Sequence, residues 1–450
     1  MINTLTRTAE HPRVATASRS VPDSHRALLT FGALTFWLAL VAISVAWGEH
    51  VVAVGDRLGV GAPPLTGNYE WRVGIDAVPA VLLAAIVVVM GPRLAREASW
   101  ARLLALVAVA SIAWATVLAL VDGWGALTDP LLPNHYLGTV PRVGDPVTFL
   151  MHFTHRIATF NIDTQGHPPG MVLLLWLLDR VGLGGVGWNA VLVLAGGGAA
   201  VVAALVTLRE VAGEDRARAA APFFVVVPGA IWWSSGDALF SGVAAWAVAL
   251  VVLATGRSGP RSDRLALFGG FLFAVTAFLS YGLVLLAVVP AVVAVARRRG
   301  RPVVLAVLGA LPVFFGFLAA GFMWFAGLEA TRARYFAGVA SRRPYDYFVV
   351  GNVGAFALAL GPAVAVAVAW LRDKKVWLLV GGGLAAVALA DLSGMSKAEV
   401  ERIWLPFVPW VLVATAAFGS TRRRSGVLRP WLVLQAASWL LVEVAVRSRW

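Results

Sequence analysis

Apolar runs of about 20 residues recur along the whole chain, and the short joints between them are rich in arginine. A helix rises about 1.5 Å per residue, so a run of that length matches the roughly 30 Å hydrocarbon layer of a bilayer. About thirteen stretches have roughly that length and character: 28–47, 77–92, 102–121, 188–208, 218–235, 239–256, 264–280, 282–297, 302–325, 350–371, 376–391, 404–419 and 427–446. Only 14% of the 450 residues are charged and 59% are hydrophobic; soluble domains carry about 25% charged residues. The mean hydropathy is +0.79. A surface so short of charge belongs in lipid. The expected fold is all-α: a polytopic integral membrane helical bundle of about thirteen transmembrane helices.

The formal net charge of +13 does not point to nucleic acid. The basic residues sit in short clusters between apolar runs, as in the cytoplasmic loops of membrane proteins. If the spans alternate, Arg93–Arg102, Arg209–Arg218, Arg257–Arg264, Arg297–Arg301, Arg372–Lys375 and Arg422–Arg424 fall on one side, together with the basic N-terminal stretch. That side is expected to be the cytoplasm. Residues 1–27 read as a disordered basic cytoplasmic leader, and 28–450 as one transmembrane domain in the plasma (inner) membrane of a bacterium. Segment 169–183 breaks the alternation if it crosses, so it reads as a re-entrant or interfacial helix. With no cysteine in the chain, disulfides, thiolate metal sites and cysteine nucleophiles are excluded.

The opposite, extracytoplasmic side then carries 48–76, 122–168, 326–349 and 392–403. In the loop 122–168, Asp145 followed by Pro146 marks a helix start, with a side-chain acceptor at the cap and proline at the first helical position. Phe149, Leu150, Phe153, Ile157 and Phe160 form one face of that helix; Thr148, His152, His155, Arg156 and Thr159 form the other. Four of the seven histidines lie in this loop: His135, His152, His155 and His167. A divalent metal is conceivable there, but no cofactor is required. Asp122 and Asp129 are candidate general bases, and His135 and Tyr136 are candidate substrate contacts. Loop 326–349 places Arg332, Arg334, Arg342 and Arg343 outside, with Tyr345, against the charge rule; arginine pairs bidentately with phosphate. Glu399 and Arg402 are three apart, so they can pair on one helix face, and Glu401 and Arg402 sit at the mouth of a span. Asp237 follows Trp232 and Trp233, which read as an interfacial belt. The glycine runs 196–198 and 381–383 suit close helix packing.

The long outer loop that begins with Asp122, carries an amphipathic helix and ends in His167-Pro168-Pro169 resembles the GT-C superfamily of polytopic glycosyltransferases, such as protein mannosyltransferases and aminoarabinose transferases. The Glu399-Val-Glu401-Arg402-Ile-Trp404 stretch resembles one in actinobacterial relatives. The resemblance implies a GT-C-like bundle and sugar transfer from a polyprenyl-phosphate donor to an extracytoplasmic glycan, lipid or protein acceptor, with inversion. It implies Asp122 or Asp129 as base, although Asp122 is followed by Gly123 where the family often has a second acid. Arg342, Arg343 or Arg402 would stabilise the leaving phosphate, and His167 would shape the re-entrant turn. Partners would be the lipid-linked sugar, its acceptor and membrane lipid, and not nucleic acid. The alternatives are a secondary transporter and a cell-envelope glycan polymerase or ligase. Because the chain lacks cysteine, a single cysteine replacing Arg342 can be probed with an impermeant thiol reagent. Labelling is expected from the outside of intact cells; labelling only after permeabilisation would reverse the orientation.

Overall fold

The structure is a computed structural model that describes residues 23–448, apart from 56–57, 133–134 and 420–426. Residues 1–22 of the expected leader and the Arg422–Arg424 cluster lie outside the described residues, and so does Asn134. The chain opens with α1 (Asp23–Ala53), which takes in the last residues of the expected leader. A short strand follows, β1 (Gly67–Tyr69), and then α2 (Val78–Glu97) and α3 (Trp100–Ala119). The outer loop holds α4 (Pro146–Arg156) and α5 (Ile162–Gly166) and runs into α6 (Gly170–Arg180). Next come α7 (Val186–Ala212), α8 (Glu214–Val225), α9 (Gly236–Thr255), α10 (Pro260–Leu279), α11 (Val288–Ala296), α12 (Arg301–Ala319) and α13 (Trp324–Ala337). The chain continues through α14 (Tyr345–Leu360), α15 (Pro362–Trp370), α16 (Lys374–Leu392), α17 (Val400–Ile403), α18 (Val408–Leu412), α19 (Arg429–Ala445) and β2 (Val446–Ser448).

The fold is the expected all-α polytopic bundle of a multi-pass membrane protein. Among the described residues nine helical stretches are long and apolar enough to cross a membrane, or ten with the pair α14–α15, which bends by 91°. The difference from about thirteen has local causes. The stretch expected at 218–235 is divided between α8, whose first turn is charged, and a 3₁₀ turn at Pro228–Trp232. The one at 282–297 is a 3₁₀ run, Tyr281–Ala287, leading into α11. The last, α19, has 17 residues. Segment 169–183 holds α6, whose 11 residues span only about 16 Å as a helix, too short to cross the hydrocarbon layer by itself.

Helix α9 and the segment 400–418 sit at the centre, with 78% and 89% of their apolar windows buried, whereas α1 and α12 bury 6% each. Glycine permits the closest crossing. A Cβ on Gly196 would collide with the Leu239 Cα and the Ala238 carbonyl, and one on Gly242 with the Gly196 backbone. Likewise Gly197 accepts the Trp233 ring, and Gly382 and Gly383 lie against Val289 and Trp410. The glycine runs therefore pack helices together, as small residues do in membranes. Trp232 and Trp233 correct an expectation: both are buried at 2% and 5% exposure and form no interfacial belt. Trp232 meets Trp439 edge-on, and its indole N–H donates to the Ser448 hydroxyl at 3.2 Å.

At the loop end, α4 forms as its pattern requires. The Asp145 carboxylate accepts from the Thr148 N–H at 2.7 Å, which holds this exposed acid below the usual carboxylate range. All five residues of the apolar face are buried. Phe153 stacks on Phe160, Phe149 meets Phe153 edge-on and Phe160 at a tilt, and Phe153 meets Phe322 edge-on. Each such ring, taken from water, contributes about 1.5–3 kcal/mol. Strands β1 and β2 pair antiparallel, with Asn68 opposite Arg447, so the first outer loop and the end of α19 share one end of the bundle. Gly196→Val should lower stability by about 1–3 kcal/mol through overpacking, read as a lower unfolding temperature in detergent. Gly187→Ala, where a Cβ meets nothing, should leave it unchanged.

Candidate functional site

Three stretches distant in sequence, all expected on the outer side, meet around Arg402. The approach begins with an unusual backbone. Ala398 and Glu399 are consecutive non-glycine residues with φ of 73° and 62°, a left-handed conformation that costs of order 1–3 kcal/mol per residue and persists only where the surroundings enforce it. Here they do. The Asn352 amide donates to the Ser396 carbonyl at 2.6 Å. The Lys397 N–H donates to the Tyr335 hydroxyl at 2.8 Å, and its ammonium to the Ala340 and Arg343 carbonyls. Burial pushes the Tyr335 phenol above its ordinary range. The loop so held aims Glu399 back at Arg402.

The Arg402 guanidinium donates to Asp237 Oδ2 at 2.7 Å and to Glu399 Oε2 at 2.6 Å, with Asp163 Oδ1 at 3.7 Å. Asp237 is supplied by the first turn of α9 and Asp163 by the short helix α5. Asp163 in turn accepts from His135 Nδ1 at 2.6 Å, and its backbone carbonyl accepts from His167 Nδ1 at 2.8 Å. Burial pushes the Asp163 carboxyl up, but the His135 hydrogen bond and the Arg402 charge outweigh it and leave it below the usual carboxylate range. Tyr136 is buried edge-on to His167 and Phe240, and burial drives its phenol well above the ordinary value. Its hydroxyl has no hydrogen-bond partner among the described residues. Gln165 ties the group to the third stretch by accepting from Arg334 at 2.6 Å.

The expected site residues therefore divide. His135, Tyr136, His167, Asp237 and Arg402 come together. Glu401 lies beside them, fully buried, with Oε1 accepting from the Thr66 N–H at 2.9 Å. Arg402 is enclosed by carboxylates and so is not placed as a phosphate ligand. Arg343 is buried, donates to the Leu58 carbonyl at 2.8 Å and the Lys397 carbonyl at 2.5 Å, and clasps loops together. Arg342 is exposed. Tyr345 is exposed and donates to the Leu392 carbonyl at 3.3 Å. Asp122 lies in a separate group, ion-paired with Arg72, which also approaches Glu443 at 3.8 Å. Asp129 is exposed. His152 bonds its own helix at Thr148, and His155 is exposed. Among the described residues no three His, Asp or Glu side chains are grouped to hold a metal ion.

Asp163 and Glu399 were not among the expected site residues. Glu399 was legible as the partner of Arg402 from its i, i+3 spacing. The only local sign of Asp163 is an isolated acid four residues before His167.

No family model matches the chain, and no curated protein matches it. Among solved structures, the Archaeoglobus fulgidus oligosaccharyltransferase in complex with zinc and sulfate aligns at 17% identity and a TM-score of 0.35. The alignment covers 62% of this chain and 42% of that one, so the chain spans less than half of that protein's length.

Removing Arg402 strands buried negative charge, so Arg402→Met should cost on the order of 3–5 kcal/mol. Adding Asp237→Asn should recover part of the loss, both read as unfolding temperature in detergent; equal stability of Arg402→Met and wild type would refute the pairing. The acid dependence has a definite sign. Asp163 is lowered in the fold, so its contribution is complete above the ordinary value of about 3.9 and fades as pH falls through the lowered one.

Proposed function

We propose that the chain is a membrane glycosyltransferase acting at the outer face, which moves a sugar from a polyprenyl-phosphate donor to a glycan, lipid or protein acceptor. The observation that carries this reading is the convergence of loop 122–168, the Arg334–Arg343 region and residues 399–402 on one acid-rich cluster at the outer ends of the spans. Sugar transfer to a hydroxyl needs a proton acceptor near the entering oxygen and positive charge near the departing phosphate. Loop 122–168 holds the acceptor, in an environment of fixed dipoles and little water. Arg342, exposed on the same face, is the expected arginine left to meet a lipid phosphate, since Arg343 and Arg402 are engaged within the protein.

A transporter is the second reading, and one observation favours it. The buried Glu443 shares a small cavity with Ile231 and Trp232 of the turn that interrupts the chain at Pro228–Trp232, and transporters bind their ions at such breaks. Proteoliposomes separate the two. Labelled sugar from a panel of polyprenyl-phosphate hexoses and pentoses should be transferred to acceptor by the wild type, and Asp163→Asn or Asp237→Asn should slow the transfer. Solute uptake driven by a pH gradient, with no lipid-linked sugar consumed, would reject the transferase.

A further inference from the structure

We propose that His135, oriented by Asp163, is the group that takes the proton from the acceptor hydroxyl. This rests on the transferase reading and deepens it, because it moves the base away from the acids at the start of the loop.

The carboxylates of the outer face are committed elsewhere. Asp122 neutralises Arg72, Asp237 and Glu399 face the Arg402 guanidinium, and Glu401 is fully buried and accepts from the Thr66 N–H. Asp237 and Glu399 are thus engaged as counter-ions to one buried guanidinium. Asp129 is exposed and belongs to the turn at Asp129–Leu131, outside the cluster.

His135 differs in two ways. Its Nδ1 lies 2.6 Å from Asp163 Oδ2. With Asp163 ionised, that nitrogen is the donor, and the lone pair of the neutral ring is on Nε2. Its side chain is also 15% exposed, against 9% for Asp163, 8% for Arg402 and 4% for Asp237; Glu399 is more open at 27%, but its carboxylate is ion-paired with Arg402. The ring is anchored from behind, since the His135 carbonyl accepts from the Asn161 amide at 2.7 Å. Asp163 stabilises the imidazolium as it forms, as a buried carboxylate does for a catalytic histidine elsewhere. Around the pair stand His167 and Tyr136 from the same loop, Asp237 from α9, and Glu399 and Arg402 from the 399–402 turn.

The step balances. The acceptor O–H bond breaks and its proton goes to His135 Nε2. The acceptor oxygen forms a bond to the anomeric carbon, while the bond from that carbon to the phosphate oxygen breaks and its electron pair leaves with the polyprenyl phosphate. The imidazolium then returns its proton to water.

The test uses full-length protein in liposomes with farnesyl-phosphate-linked hexose and pentose as probes. His135→Ala should lower kcat by about 10²–10⁴-fold with donor KM retained, and added imidazole should restore part of the rate, more so at higher pH. Asp163→Asn should lower the rate by less than His135→Ala does, because the imidazolium that forms loses its counter-charge. His135→Gln should keep the wild-type unfolding temperature while remaining slow. A wild type that transfers sugar while His135→Ala matches its rate, or a slow His135→Ala that imidazole does not rescue, overturns the base assignment and leaves the transferase reading standing. A wild type inert toward every probe removes both.

Discussion

The guanidinium of Arg402, held between Asp237 and Glu399 with Asp163 beyond, organises the outer end of the bundle. Such a group is costly to bury alone, and attraction within a low-dielectric interior offsets that cost only when the geometry is good and the remaining donors find partners. The carboxylates that face it are drawn from α5, from α9 and from the strained turn before α17. None of the three elements is fixed there by apolar packing alone. The position of the outer loop, the entry of the central helix and the left-handed turn are therefore one problem with one solution. That coupling is also why two loop arginines and a lysine spend their donors on carbonyls or, for Arg334, on an amide oxygen.

What was legible in the sequence follows from the range of each rule. The bundle, the short α6, the cap at Asp145 and both faces of α4 depend on residues within one or two helical turns, where periodicity and capping speak directly. The Glu399–Arg402 pair is of the same kind. Asp163 had no such voice, because its partners lie far along the chain at Arg402 and close only through the fold. The count of spans ran high because hydropathy does not register where a span is interrupted: Pro228 and the 3₁₀ run from Tyr281 keep the apolar character and lose the continuous helix.

Charge outside the membrane was the least reliable signal. Arginines in loop 326–349 read as ligands for phosphate because they break the charge rule. Arg343 shows the other use of the residue: a planar fork that stitches two loops through their carbonyls while its stem packs near Phe348. Asp122 shows the matching lesson for acids, since the end of a span is also where a counter-ion such as Arg72 is needed. Which charges are spent on structure was decided by burial, which no single-sequence pattern reports.

The antiparallel pairing of β1 with β2 has a consequence for how the molecule is made. Gly67–Tyr69 are inserted early, and their partners Val446–Ser448 emerge after the last helix. Closing so long a loop yields nothing until almost the whole chain is in place, and contacts of that sequence separation form late. The ribosome thus delivers the spans in order, while the first outer segment waits for the final one. The pairing that ties the first loop to the end of α19 therefore cannot form until that helix has been made.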